Sequence, residues 1–329
     1  MGLRFLGVLR VLQGERELIR LFLAKFKAGR LPLPVGDDVS AWDLGGGRLA
    51  VLKLDMFFAG TDLLPGMGLE EAGWKAMVMA VSDFAAKGVK PEAALVGLGL
   101  PESLVGEAGR LADGLRAAAR AYGVKILGGD TNEAGELSVA VSLFGSCRRG
   151  ALVSRFGAKP GDLLAVSGFF GLTAAAFKIL LEGLEAPEGL RGKILRSVYR
   201  PRARLSLGLR LKDMGATASI DSSDGLALSL HQLAEASGVG FRVERLPLAE
   251  PARVFAEMHG LDPFDLALYG GEEFELVATF KPEVFRRRGR GFKVIGVATG
   301  DGEVKFEDGK VSRVIEPRGW EHFKREKWL

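Results

Sequence analysis

The stretch Val124-Lys125-Ile126-Leu127-Gly128-Gly129-Asp130-Thr131 sets a mostly apolar run against two glycines, a carboxylate and a hydroxyl. Val124 to Leu127 reads as a short buried strand. Two successive glycines remove the Cβ atoms that would hold a bulky ligand away from the backbone. Asp130, at the strand end, is a hard oxygen donor suited to a metal–phosphate complex. Read alone, the stretch is equally an ordinary Gly-Gly turn with a solvated aspartate. Its weight comes from repetition, because aspartates recur at element ends along the chain.

Working outward, Ser103 to Tyr122 is an Ala-rich helical run stopped by Gly123, and Ala93 to Leu100 before it reads as a strand. Further upstream, Glu70 to Lys87 is a long helix ending at Gly88, Leu49 to Asp55 a strand closed by an aspartate, and Glu15 to Ala28 a helix with Gly29 as its stop. Downstream, Glu136 to Ser146 is a strand. The Gly/Pro-rich segment Arg155 to Asp162 marks a junction near residue 150. Beyond it the pattern predicts strands at Leu163–Ser167, Ala218–Asp221, Glu275–Phe280 and Gly291–Val297, with two short ones near Val304 and Val311. Helices are expected at Leu172–Glu182, Arg202–Met214 and from Asp224 to Ser237. Alternating strands and helices in both halves indicate an α/β or α+β chain of two domains, 1–150 and 151–329.

Six aspartates fall at turns or element ends: Asp38, Asp55, Asp83, Asp130, Asp221 and Asp224. Each alone is an ordinary cap or turn residue. Together they would repel one another strongly in a low dielectric unless cations sat between them. Several Mg²⁺ ions bridging them to a polyphosphate would resolve the conflict. Asp83 adds a local argument. It lies near the C-terminal end of its helix, where the macrodipole disfavours a carboxylate, so an opposite charge or a metal is expected beside it.

Other chemistries are poorly served. The three histidines, His231, His259 and His322, have no metal spacing and no cysteine partner, which argues against structural zinc. A Gly-x-Ser-x-Gly elbow, a Walker-type loop and a dinucleotide Gly-x-Gly-x-x-Gly turn are all missing. The one cysteine, Cys147, cannot form an internal disulfide and reads as a core residue. No apolar run is long enough to span a membrane, and Met1 to Arg10 does not read as a signal peptide, so a cytoplasmic location is expected. Net charge is +4, part of it in Arg286-Arg287-Arg288-Gly289-Arg290 and Lys324-Arg325-Glu326-Lys327. With acidic residues interspersed, these runs read as solvated surface, and no specific nucleic acid is expected. Asn132, Gln13 and Gln232 are the only side-chain amides, a depletion typical of thermophile proteins.

Six motifs in one order carry a resemblance. They are Gly36-Asp37-Asp38, Ser82-Asp83-Phe84-Ala85-Ala86-Lys87-Gly88, Gly128-Gly129-Asp130-Thr131, Gly157-Ala158-Lys159-Pro160-Gly161-Asp162, Ile220-Asp221-Ser222-Ser223-Asp224-Gly225-Leu226 and Gly270-Gly271-Glu272-Glu273-Phe274-Glu275-Leu276. Over roughly residues 15 to 325 the chain resembles the thiamine-monophosphate kinase family, within the superfamily of aminoimidazole ribonucleotide synthetase. The resemblance implies ATP-dependent phosphorylation of thiamine monophosphate to thiamine diphosphate. It implies an N-terminal ATP- and Mg²⁺-binding domain whose sheet closes a barrel across a homodimer, and a C-terminal domain that completes the site. It carries the six aspartates over as magnesium ligands, with Gly129, Asp130, Arg155 and Ser223 as ATP contacts. Asp130, Arg155 and Asp221 would carry the catalysis, and Glu272, Trp320 and Asp62 would contact the thiamine moiety. An aromatic face at Trp320 suits a cationic thiazolium ring.

Two features depart from the family pattern. Lys53 and Leu54 stand where many members have hydroxyl residues before the aspartate, and Asp62 stands where bacterial members often have histidine. Around it, Thr61 to Met67 is similar to archaeal members. The expected chemistry is direct in-line transfer between two phosphates, with no general base and no phosphoenzyme. The alternatives are a sibling ATP-dependent synthetase of the aminoimidazole ribonucleotide synthetase type and, further off, a basic nucleic-acid-binding protein.

Overall fold

The computed structural model describes residues 14–26 and 31–323. Met1 to Arg10, the basic run Lys324 to Lys327 and the last residues expected in the first helix lie outside them. The first sheet contains β1 (Ser40–Gly45), β2 (Arg48–Phe58), β3 (Pro91–Leu100), β4 (Lys125–Glu133) and β5 (Ser138–Arg148), in the order β1-β2-β5-β3-β4. The second contains β6 (Leu163–Val166), β7 (Ala216–Ser222), β8 (Gly240–Val243), β9 (Glu275–Phe280), β10 (Lys293–Thr299), β11 (Val304–Glu307) and β12 (Ser312–Val314), in the order β12-β11-β8-β10-β6-β9-β7. The helices around the first sheet are α1 (Glu15–Phe26), the single turn α2 (Ala59–Asp62), α3 (Leu69–Lys87) and α4 (Ala108–Tyr122). Around the second run α5 (Leu172–Leu181), α6 (Glu188–Tyr199), α7 (Leu205–Gly208), α8 (Leu226–Ser237), α9 (Glu250–His259), α10 (Pro263–Tyr269) and α11 (Pro282–Arg288).

Helix α3 is the seam. It contacts β2 and β5 of the first sheet on one side and β7 and α7 of the second unit on the other. A helix covered on both sides is apolar nearly all round, which explains the run of buried alanine, valine and methionine residues from Ala76 to Ala86. Its crossing with α4 is close enough to need glycine on both helices. A Cβ on Gly73 would lie 2.2 Å from the Leu111 carbonyl oxygen, and one on Gly114 would lie 1.9 Å from that of Glu70.

Strand β2 shows how the sheet sorts its side chains. Val51, Lys53, Asp55 and Phe57 turn toward α3, while Leu52, Leu54 and Met56 are exposed on the other face. The period of two makes this division automatic. It also settles the local departure from the family pattern: Lys53 points to the seam, and Leu54 points away from it.

The opening stretch folds differently from its sequence reading. Strand β4 continues through Gly128, Gly129 and Asp130 to Glu133, and it is an exposed edge strand rather than a buried one ending in a turn. Gly129 is required by β3, since a Cβ there would lie 1.7 Å from the Val96 carbonyl oxygen. Further differences arise. Ser40–Gly45, α6 and α9 form elements that the sequence pattern does not announce. The helix expected at Arg202–Met214 shrinks to one turn, after which Arg210 and Leu211 bond to carbonyls three residues back. The chain tightens there because Gly208 packs on the Ala85 backbone, where a Cβ would lie 2.1 Å from the carbonyl oxygen.

Candidate active site at the seam

Three carboxylates meet where α3 crosses between the sheets. Asp38 precedes β1, Asp83 sits in the last turns of α3, and Asp221 lies near the end of β7. All three are buried and offer oxygens within 4.8 Å of one another. Like charges this close in a poor dielectric demand compensation, and it is unevenly supplied.

Around Asp38 compensation is complete. Lys87, fully buried, donates to Asp37 and Asp38 at 2.7 Å each and to the Ser219 carbonyl, so all three ammonium N–H groups are used. Arg155 donates from Nε to Asp38 Oδ1 at 2.9 Å and also pairs with it through Nη2. Its Nη1 reaches the Gly36 carbonyl at 3.0 Å and Gln232 at 2.9 Å, and its backbone N–H reaches Asp37 at 3.0 Å. Burial alone would raise the Asp38 carboxyl, but the Lys87 and Arg155 charges overcome it and hold the group below the ordinary carboxylate range.

Around Asp83 and Asp221 compensation falls short. Lys53 reaches Asp83 at 2.8 Å and Asp55 at 3.2 Å, which supplies the opposite charge expected beside Asp83. Burial nevertheless lifts the Asp83 carboxyl well above its ordinary value, with Lys53 opposing and Asp55 and Asp221 adding to the rise. Asp221 accepts a hydrogen bond from Ser82 Oγ at 2.7 Å. Burial, reinforced by the Asp38 charge, pushes its carboxyl up to about 6.

This second half opens on a cavity of about 620 Å³, lined by Lys53, Asp55, Asp83, Asp221, Ser223 and Asp224, among others. A smaller adjoining cavity shares Lys53, Asp83, Asp221, Ser223 and Asp224 and adds Arg155. The larger one is also lined by Asp62, Glu272, Phe274 and Trp320, and Trp320 lines the smaller one as well. The segment before β9 is held against the end of β7 by hydrogen bonds from Glu272 N–H to the Ser223 carbonyl at 2.6 Å and from Phe274 N–H to the Ser222 carbonyl at 2.9 Å. Glu272 and Phe274 both adopt positive φ, 62° and 51°, a costly conformation for side-chain-bearing residues. Lys75, fully buried on α3, binds Glu272 Oε1 at 2.5 Å and the Asp62 carbonyl at 2.9 Å. The second Glu272 oxygen is buried without a hydrogen-bond partner. Trp320 is fixed by its backbone N–H to the Asp224 carbonyl at 3.1 Å. The Asp62 carboxylate accepts from Phe58 N–H at 2.7 Å and from Thr61 Oγ1 at 2.9 Å, so much of its capacity serves the α2 turn.

Ten of the twelve expected site residues therefore converge on the seam, through the cluster or its two cavities. Gly129 and Asp130 do not. Asp130 pairs with Gly97, Gly97 with Ala140, and Ala140 with Met56, which sets it three strands from β2, roughly 14 Å across the sheet. Its carboxylate accepts from Asn132 Nδ2 at 2.9 Å. Sequence reasoning assigned no role to Lys53, Lys75 or Lys87. For Lys75 and Lys87 a signal exists, namely a lysine inside an otherwise apolar helical run, which must find buried partners.

Comparison with known proteins agrees with this arrangement. Residues 36–147 match the AIR synthase related protein N-terminal domain, and residues 159–309 match the corresponding C-terminal domain. A thiamine-monophosphate kinase of Pyrococcus horikoshii is 37% identical over 314 residues, covering 94% of this chain and 96% of its own. One from Nitrosopumilus maritimus is 33% identical over 94% of this chain and 98% of its own. The solved structure of AaThiL complexed with AMPPCP and TMP aligns with a TM-score of 0.83 at 31% identity, over 94% of this chain and 97% of that one. With the fold, the seam cluster and these matches in agreement, the chain belongs to the thiamine-monophosphate kinase family of AIR synthase related proteins.

Proposed function

We propose that this chain transfers the γ-phosphoryl group of ATP to thiamine monophosphate, giving thiamine diphosphate and ADP. The observation that carries the reading is the uncompensated half of the carboxylate cluster, open to a cavity that Glu272 and Trp320 also line. Relatives of this name, and a related structure complexed with AMPPCP and TMP, support it. Donor and acceptor are both anionic, so their approach needs positive charge. The hard oxygens of Asp83, Asp221, Asp55 and Asp224 suit Mg²⁺, with Asp38 at their edge. Magnesium bound there would neutralise phosphate charge and orient the γ-phosphate. The acceptor oxygen is ionised near neutral pH, so it forms its bond to the γ-phosphorus as the bond to ADP breaks, with no general base and no phosphoenzyme. Arg155, Ser223 and Asp221 line the phosphate side. Trp320 and the unpartnered Glu272 oxygen face the organic part of the acceptor.

The two sheets read as two domains meeting near residue 150, and the working form reads as a homodimer. The first sheet leaves Leu52, Leu54, Met56, Leu95 and Phe144 exposed, and β4 is an edge strand that exposes Ile126 and Leu127. An unprotected edge of this kind calls for a partner. A second copy laid on this face would bring Gly129 and Asp130 toward a neighbouring site, which a single chain does not do. Among the described residues, no helix is long and apolar enough to cross a membrane.

Chromatography of a reaction containing ATP, Mg²⁺ and thiamine monophosphate tests the function, and no thiamine diphosphate at any temperature where the protein stays folded would overturn it. Mixing and re-equilibrating the inactive Asp130→Asn and Asp221→Asn variants tests the shared site. Statistical exchange should restore about a quarter of the activity if each site draws Asp130 from the partner, whereas no restoration would place Asp130 in its own chain's site.

A further inference from the structure

The three cations of the cluster are not equivalent. Lys87 is fully buried, and its three N–H groups meet three protein acceptors. Arg155 is occupied by Asp38, Gly36 and Gln232. Lys53 instead bridges Asp55 and Asp83 while lining both cavities. Its ammonium has three donors and two carboxylate partners, which leaves one N–H without a protein acceptor among the described residues. A cation between two carboxylates, with a remaining binding direction toward a phosphate cavity, does what a bridging divalent ion does in such a site. Among the described residues, five carboxylates, of Asp37, Asp38, Asp55, Asp83 and Asp221, face the three cations Lys53, Lys87 and Arg155, so removing Lys53 would deepen a charge deficit that already exists.

We propose that the Lys53 ammonium is a built-in cation of the phosphate-transfer site. It holds the position between Asp55 and Asp83 that a divalent ion would otherwise take, and donates its remaining N–H to a phosphate oxygen of the bound nucleotide. The proposal rests on the kinase reading and deepens it, because the number of exchangeable metal ions becomes a property set by residue 53. Lys53→Met removes the charge at nearly constant length, and Lys53→Arg keeps it.

The test counts Mn²⁺ bound per protomer to the full chain in saturating AMPPCP, for wild type and both variants. Lys53→Met should bind about one more Mn²⁺ than wild type, while Lys53→Arg matches wild type. Equal counts in all three would overturn the proposal. Should Lys53→Met be unstable without metal, the rise in melting temperature on adding Mn²⁺ gives the same information. It should be larger in Lys53→Met than in wild type, and an equal rise would overturn the proposal. Counting needs no turnover, so a missing thiamine diphosphate product would strike the kinase reading and leave this result standing.

Discussion

Asp38 and Asp221 carry the same side chain and offer oxygens within 4.8 Å of each other, yet their surroundings make them different groups. Asp38 is closed in by Lys87 and Arg155 and stays ionised more readily than a free carboxylate. Asp221 has a serine hydroxyl and other carboxylates for neighbours and gives up its proton reluctantly. The first half is a finished structural device, since the Asp37 and Asp38 carboxylates face the Lys87 and Arg155 cations. The second is unfinished until a positively charged ligand arrives. Strain stored at a site in this way is a mark of function rather than of stability.

The strongest way to break the comparison is to open the finished half. Lys87→Met removes a buried cation from two carboxylates, and orphaning a buried charge typically costs about 3–5 kcal/mol. Urea unfolding should show a loss of that order, and added Mg²⁺ should recover little of it, because Lys87 lies outside the cavities. A loss under ~1 kcal/mol would mean that Asp37 and Asp38 relax to water and that the two halves do not differ.

A weaker and continuous probe is pH, applied to protein freed of divalent ions with EDTA. The Asp221 carboxyl is raised from 3.8 to about 6 in the fold, so its contribution is fully present below the unfolded value and is lost as pH rises through about 6. Asp83 shifts in the same direction. The metal-free protein should therefore gain about 1–3 kcal/mol as pH falls from 7.5 to 5. Asp38 works in the opposite sense: its depressed carboxyl contributes stability above the ordinary carboxylate range, which is lost as pH falls through its lower folded value. Thermal melts should therefore rise from pH 7.5 to 5 and turn over only below the ordinary carboxylate range, where Asp38 loses its charge. A monotonic fall from pH 7.5 downward would show that the open half is already compensated.

The smallest effect should come from Trp320. Trp320→Ala should raise KM for thiamine monophosphate about tenfold, the scale of one lost cation–π contact, with KM for ATP nearly unchanged. Equal increases for both substrates would tie Trp320 to the nucleotide as much as to the acceptor.

How much of this was legible beforehand varies from residue to residue. The alternation of elements gave the two α/β halves, and three of the six aspartates singled out, Asp38, Asp83 and Asp221, form the cluster, because turn chemistry and charge repulsion act locally enough to be read. Asp83 was the clearest case: its misfit with the helix dipole called for a cation, and Lys53 supplies it. Lys53 itself looked like a defect in the pattern, since only the pleat of β2 shows that it points inward and Leu54 outward. The opening stretch misled in a physical way. Its glycines suit a turn, but Gly129 answers to the Val96 carbonyl on β3, a contact set by strand packing rather than by neighbours in sequence. The Arg202–Met214 run has a helical pattern that loses to a close approach at Gly208, again a tertiary cause.

The account turns on Asp221, and one paired measurement addresses it: turnover and metal-free stability of Asp221→Asn at pH 7.5, side by side with wild type. Removing a charge that the fold does not compensate should raise stability by about 1–2 kcal/mol, while thiamine diphosphate formation falls by at least about a hundredfold. Near-normal turnover, or a variant less stable than wild type in EDTA, would contradict the claim that this half of the cluster is held open for ligand.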